Sequence, residues 1–217
     1  MNIQYVAKRV VRAALGDAFS PVKGAVQRGL FGLGIWRLPT PVRLHLGCGP
    51  RHLDGYVNID LLSGVADILA DCTRLPFIKS GTASHILVEH MLEHLSRAGA
   101  QAALQEWARL LAPGGVLEVE VPDVIWCIEH FLSSTEAERY QSQYEGKGAI
   151  AALFGLQTNP GQFHRFGYTP DHLMSCLRAV GLDVIDVKLY MTPHPCRSIR
   201  VYARKPGPHC APPDGRE

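Results

Sequence analysis

From residue 42 onward, short apolar blocks bounded by Gly, Pro, Asn or Asp alternate with longer stretches of helical period. That pattern belongs to parallel strands covered by helices. The strand blocks are Arg43–Leu46, Tyr56–Ile59, Asp67–Ala70, His85–Glu89 and Val116–Val121. Between the last two, Ala100, Ala103, Leu104, Trp107, Leu110 and Leu111 recur at helical spacing. Ser96 precedes them, with a hydroxyl suited to the free amides of a first turn, and Pro113-Gly114-Gly115 stops the helix. A second helix is marked near 170–180: Thr169 caps it, Pro170 opens it, and Leu173, Cys176, Leu177 and Val180 form its stripe before Gly181. Asp183–Leu189 and Ser198–Arg204 follow with no helix-length segment between them, so they pair as an antiparallel hairpin.

Upstream, Ile3, Val6, Val10 and Ala14, then Phe19, Val22, Val26 and Leu30, predict two amphipathic helices broken near Ser20-Pro21. The chain divides into a helical arm (1–40), an α/β domain (41–204) and a disordered Pro/Gly-rich tail (205–217). The arm is basic: Lys8, Arg9, Arg12, Lys23, Arg28 and Arg37 face Asp17 alone, so the rest of a chain of net charge +2 is slightly acidic. This segregation argues against a nucleic-acid acceptor, which calls for cations around the site itself. The arm suits packing on the domain or peripheral contact with an anionic membrane. The six cysteines lack a Cys-x-x-Cys pair, which fits a reduced, cytoplasmic chain. No apolar run approaches the roughly 20 residues of a membrane span. Oligomeric state is not legible.

The candidate chemistry starts at the first strand. Gly47-Cys48-Gly49 follows it, where an open α/β sheet binds ligands and where a missing Cβ lets backbone approach them. Asp60 ends the second strand, placed to accept from the ribose hydroxyls of a nucleoside cofactor, and Asp71 ends the third, placed for the adenine edge. Position 52 is His, so Gly-x-Gly-x-x-Gly is incomplete, and only ten residues separate Gly49 from Asp60. A dinucleotide fingerprint needs roughly 20, to fit a helix aimed at its pyrophosphate. The shortening disfavours NAD more than a cofactor without phosphate.

These pieces, with DCTRLPF (71–77), HILVEHMLEHL (85–95), ARLLAPGGVLEVEVPD (108–123) and HLMSCLRAVGLDV (172–184), resemble the class I S-adenosylmethionine (SAM)-dependent methyltransferases, in the type 11-like branch. The resemblance runs over residues 42–204 in family order. It implies a Rossmann-like sheet of seven mostly parallel strands, the last antiparallel, with helices on both faces, and it implies SAM as cofactor. It also implies that Gly47, Cys48 and Gly49 line the methionine and ribose, Asp60 holds the ribose, Leu61 and Cys72 flank the adenine, Asp71 bonds its amino group and Glu89 faces the methionyl end.

Two histidine groups are candidates for the acceptor side, where a hydroxyl needs help losing its proton. In Glu89-His90-Met91-Leu92-Glu93-His94, the Leu-Glu-His triplet orients the loop beneath the cofactor, and His94 is a catalytic candidate. If the segment is helical, His90 and His94 share a face beside Glu93, which is the alternative of a divalent-metal-assisted O-methyltransferase. That element resembles the Glu-x-x-Glu-His of metal-assisted methyltransferases with His90 in place of the first Glu, and no metal is assigned. In Phe163-His164-Arg165-Phe166-Gly167-Tyr168, His164 is the second catalytic candidate, and Gln162–Tyr168 are expected to touch the acceptor. The long stretch 123–168 reads as a lid or substrate platform. Trp107 and Trp126 read as core. The expected activity is methyl transfer to an oxygen or nitrogen of a small-molecule or glycan-type acceptor; a non-catalytic SAM-binding subunit is the alternative from another class.

Overall fold

The computed structural model describes residue 29 and residues 38–140, 148–157, 160–192 and 196–207. Apart from residue 29 and residues 38–40, the predicted helical arm lies outside the described residues, as does most of the predicted tail. The elements run β1 (Val42–Leu46), β2 (Val57–Asp60), β3 (Ile68–Leu69), β4 (Ala83–Glu89), α1 (Arg97–Leu110), β5 (Leu111–Pro122), α2 (Val124–Ser133), α3 (Glu136–Arg139), α4 (Ala149–Phe154), α5 (Pro170–Ala179), β6 (Asp183–Met191) and β7 (Arg197–Arg204). They form one seven-stranded sheet in the order β3-β2-β1-β4-β5-β7-β6. β1 pairs in parallel with β2 and β4, and β4 with β5, while β7 lies antiparallel between β5 and β6. This is the Rossmann-like architecture with the terminal hairpin that the pattern predicts.

The period of two gives the sheet two chemically distinct faces. One is apolar: Leu44, Leu46, Ile86, Val88, Val119 and Val201 are fully buried. Helices α1 and α5 contact each other and cover this face over β5, β6 and β7. Both caps are as read, Ser96 accepting from the Gly99 amide and Thr169 from the His172 amide. Trp107 is fully buried and its Nε1 donates to the Cys72 carbonyl at 2.9 Å, so α1 is fastened to the loop after β3. Trp126 differs from its reading: it is partly exposed and stacks on His130 at 4.8 Å.

The other face is polar. His45, Asn58, Glu120 and Ser198 lie buried in it, each with a partner. Asn58 accepts from the Leu53 amide at 2.9 Å and donates to its carbonyl at 3.0 Å, and Tyr56 stands edge-on to His45 and His85. Loop 47–56, not a helix, crosses here, because ten residues cannot hold a helix and its two connections. β5 begins five residues earlier than its apolar block, with Leu111 pairing Ala83 before a register shift that accommodates Pro113-Gly114. Lys205, read as tail, still continues the pairing of β7 with β5: its amide donates to the Gly115 carbonyl and its Nζ to those of Ala108 and Leu111. The five described cysteines are free. No helix among the described residues is long and apolar enough to cross a membrane.

Candidate active site

At the carboxyl ends of β1, β2 and β4 opens a cleft of about 1340 Å³. Gly47, Cys48, Gly49, Asp60 and Leu61 border it on one side, and Asp71, Cys72, Glu89 and His94 on the other, so every cofactor residue expected from the sequence is brought to one cavity. Gly47 makes the turn possible. Its φ is +69°, and a Cβ there would stand 2.5 Å from Met91 Cγ. The turned loop is then held by a side chain: Asp60 Oδ2 accepts from the Gly49 amide at 2.9 Å, and Oδ1 from the Leu62 and Ser63 amides at 2.8 and 2.9 Å. A carboxylate offers about four acceptor positions. Three are used by backbone, which leaves room for one hydroxyl.

Asp71 Oδ1 accepts from the amide and hydroxyl of Thr73, and the rest of this exposed carboxylate faces the cleft. Leu61 is 53 % exposed at the cleft lip, an apolar surface ready to be covered by a flat ring. Burial, with Asp60 nearby, pushes the Cys48 thiol up to about 12, and burial pushes Cys72 up as well. Both are packing groups rather than nucleophiles.

Glu89 sits at the end of β4 as expected, yet it is not a bare carboxylate. Oε1 accepts from Arg200 at 2.7 Å, and Oε2 is bonded by Arg51. Arg200 also donates to Glu118 at 2.5 Å and to Glu120, and the Tyr190 hydroxyl reaches Glu120 at 2.5 Å. Burial favours a neutral Glu120, but bonds from His90, Tyr190 and Arg200 outweigh it and hold its pKa down to about 2. The sequence reading missed Arg51, Arg200, Glu120 and Tyr190. The signal was faint: Glu118-x-Glu120 and Arg200 mark polar positions in otherwise apolar strands, and only the register sets Glu120 opposite Arg200.

The expectation that His90 and His94 share a face is corrected. His90 has φ +49°, and the 3-10 turn starts only at Leu92, so the two rings part. His90 goes to the polar sheet face, 3.2 Å from Glu120 Oε1, 3.3 Å from Ser198 Oγ and 3.3 Å from Glu93 Oε1. Burial opposes its charge, but Glu120 and Glu93 outweigh that and raise its pKa to about 10. His94 turns the other way, where its Nδ1 donates to the Phe163 carbonyl at 3.1 Å and its ring lies 5.0 Å from that of His164.

His164 reaches that place through backbone. Its amide donates to the Phe154 carbonyl at the end of α4, and the Arg165 and Phe166 amides donate to the Glu93 carbonyl at 2.8 and 3.2 Å. Gly155 is required for the crossing, because with φ +78° a Cβ would lie 1.9 Å from the Gln162 carbonyl oxygen. A smaller cavity of about 200 Å³ lies here, lined by Glu93, Cys127, Phe154, His164 and Phe166 among others, and Arg165 borders both cavities. Segment 123–168, legible only as a platform, holds α2, α3 and α4. Asp123 caps α2 and ties it to β7 through Arg197 at 2.6 Å. Glu93 is 2 % exposed, and its Oε2 has no hydrogen-bond partner among the described residues. Donor atoms of Glu93, His94 and His164 all lie within 4.8 Å of one another.

A methyltransferase-domain family model matches residues 54–119. No curated protein matches the chain. Among solved structures, the chain is similar to a SAM-dependent methyltransferase of Methanosarcina mazei at 13% identity and TM-score 0.55, covering 88% of this chain and 99% of that one. It is similar at 14% identity and TM-score 0.52 to a Burkholderia thailandensis 1,6-didemethyltoxoflavin-N1-methyltransferase bound to its acceptor and S-adenosylhomocysteine, over 95% and 91% of the two chains. A SAM-dependent methyltransferase of Mesorhizobium loti gives 13% identity and TM-score 0.50, over 82% and 96%. At such identities the likeness is one of fold.

Proposed function

We propose that this chain is a class I SAM-dependent methyltransferase that moves a methyl group from SAM to an oxygen or nitrogen of a small-molecule or glycan-type acceptor. The observation that carries the proposal is one cleft with a cofactor loop on one wall and His94 on the other, bordered by Arg165, which also lines the cavity of Glu93 and His164.

The residues present fit the donor. The acceptor position left on Asp60 suits a ribose hydroxyl, the exposed side of Asp71 suits the adenine amino group, and Leu61 suits the ring face. Glu89, held by Arg51 and Arg200, fixes a negative charge near where a methionyl ammonium would lie. When bound, SAM supplies a methyl group already activated on a sulfonium. The chain then has to align the acceptor behind that methyl and take care of its proton. His94 and His164, beside the Glu93 carboxylate, are the groups proposed to act on the acceptor.

Titration calorimetry with SAM tests the first half, with micromolar binding expected; its absence overturns the reading. Release of S-adenosylhomocysteine across a panel of hydroxyl and amine acceptors tests the second half. Tight SAM binding with no turnover on any acceptor would instead support a non-catalytic SAM-binding subunit.

A further inference from the structure

We infer that Glu93, His94 and His164 form a site for a first-row transition cation that holds the acceptor's hydroxyl beside the cofactor cleft. The inference deepens the proposed methyl transfer and rests on it for the identity of the bound oxygen.

Three observations converge. The first is the donor set itself. Two imidazoles and one carboxylate within 4.8 Å make the open two-histidine, one-carboxylate arrangement that suits Zn²⁺, Fe²⁺ or Mn²⁺ better than Ca²⁺ or Mg²⁺. Metal–donor bonds of about 2.0–2.2 Å draw neighbouring donors to roughly 3 Å. A convergence of one to two ångströms by side-chain rotation would close the site.

The second is Glu93. Its Oε2 is buried without a hydrogen bond among the described residues, and leaving such an oxygen unpaired costs on the order of 1–3 kcal/mol, more when charged. Oε1 is directed to His90, and the unpartnered Oε2 is the oxygen left for an ion.

The third is how the rings are held. His94 donates Nδ1–H to the Phe163 carbonyl, which leaves the Nε2 lone pair free, and the His164 ring lies 5.0 Å from that of His94. Ligating histidines are oriented in this way, one nitrogen on a backbone carbonyl and the other on the ion. Residues His164–Phe166 thus carry a ligand as well as part of the wall of the smaller cavity.

The chemistry balances without redox change. The acceptor hydroxyl loses its proton to water, its oxygen pair forms the O–CH₃ bond as the S–CH₃ bond breaks, and the sulfonium becomes a neutral thioether. The cation keeps its oxidation state and lowers the cost of losing that proton.

The test uses the full chain stripped with chelator and titrated with Co²⁺ alone. One equivalent should bind, with visible d–d absorption. At a hundredfold excess over Kd, the melting temperature should rise by about 5–10 °C. His164→Ala should weaken Co²⁺ binding at least tenfold while SAM affinity stays within threefold, and His94→Ala should weaken Co²⁺ binding by a similar factor. Glu93→Gln should do the same for Co²⁺, and His164→Ala decides should that buried substitution unfold the chain. No Co²⁺ binding by the parent protein, or equal binding by His164→Ala, overturns the inference. If Co²⁺ binds through these residues but SAM does not bind, the methyl-transfer reading fails and the cation site stands.

Discussion

The substitution Asp60→Asn separates the two roles given to this carboxylate. The native side chain accepts from three amides, those of Gly49, Leu62 and Ser63. The replacing asparagine can keep the Leu62 and Ser63 bonds through its oxygen. Its NH₂ group then faces the Gly49 N–H, so one charge-assisted bond is lost and two donors oppose each other. Such a bond contributes about 1.5–3 kcal/mol when dry. The loop borders an open cleft, and water recovers part of that, so a stability loss of about 1 kcal/mol is expected, or a melting shift of about 2–4 °C. SAM binding should suffer more, because the ribose hydroxyl loses a charged acceptor and Gly49 loses its position together. A loss of about 1.5–3 kcal/mol there means a Kd raised roughly 10–100-fold. Calorimetry with SAM and differential scanning fluorimetry measure the two effects on one preparation. A Kd within a factor of two of the parent, with the small melting shift present, would refute the ribose assignment. Lost binding with a melting drop above 10 °C would show that Asp60 is chiefly a structural staple.

Two further outcomes follow from the site. Glu120 has a folded pKa depressed to about 2, so its contribution to stability is present above the ordinary carboxylate pKa near 4.3 and is lost as pH falls from there toward 2. Urea unfolding between pH 6 and pH 2.5 should show that acid slope, and Glu120→Gln should flatten it; an unchanged slope would remove the network from the account. Gly155→Ala places a Cβ against the Gln162 carbonyl at a left-handed φ. It should cost about 2–4 kcal/mol in urea unfolding and disturb the 162–166 segment, with an effect under 1 kcal/mol counting against the close crossing.

Much of the frame was legible because it rests on local rules. The strand blocks fall within a few residues of β1 to β7, since burial imposes period two wherever one face is apolar. Ser96 and Thr169 were recognisable caps because a cap acts on amides two or three residues away. The cofactor loop was legible for the same reason: Gly47 turns the chain locally, and Asp60 closes a bond to Gly49 across eleven residues. The helices of 123–168 were not, because α3 and α4 are short and α2 leaves Ile125, Ile128 and Leu132 exposed, which blurs the amphipathic signal.

The amino-acid order alone determined the parallel α/β sheet, its antiparallel closing hairpin and the placement of Gly47–Gly49, Asp60 and Asp71 at strand ends. Each of these follows from spacing along a short stretch of chain. Tertiary structure alone decided the surroundings of the two histidine groups. His90 was parted from His94 by a positive φ and by Glu120, which arrives from β5. Glu93 met His164 because the Arg165 and Phe166 amides bond its carbonyl from about seventy residues away, and Arg200 met Glu89, Glu118 and Glu120 through strand register. Contacts of that range depend on how separate elements pack, and no local periodicity encodes them.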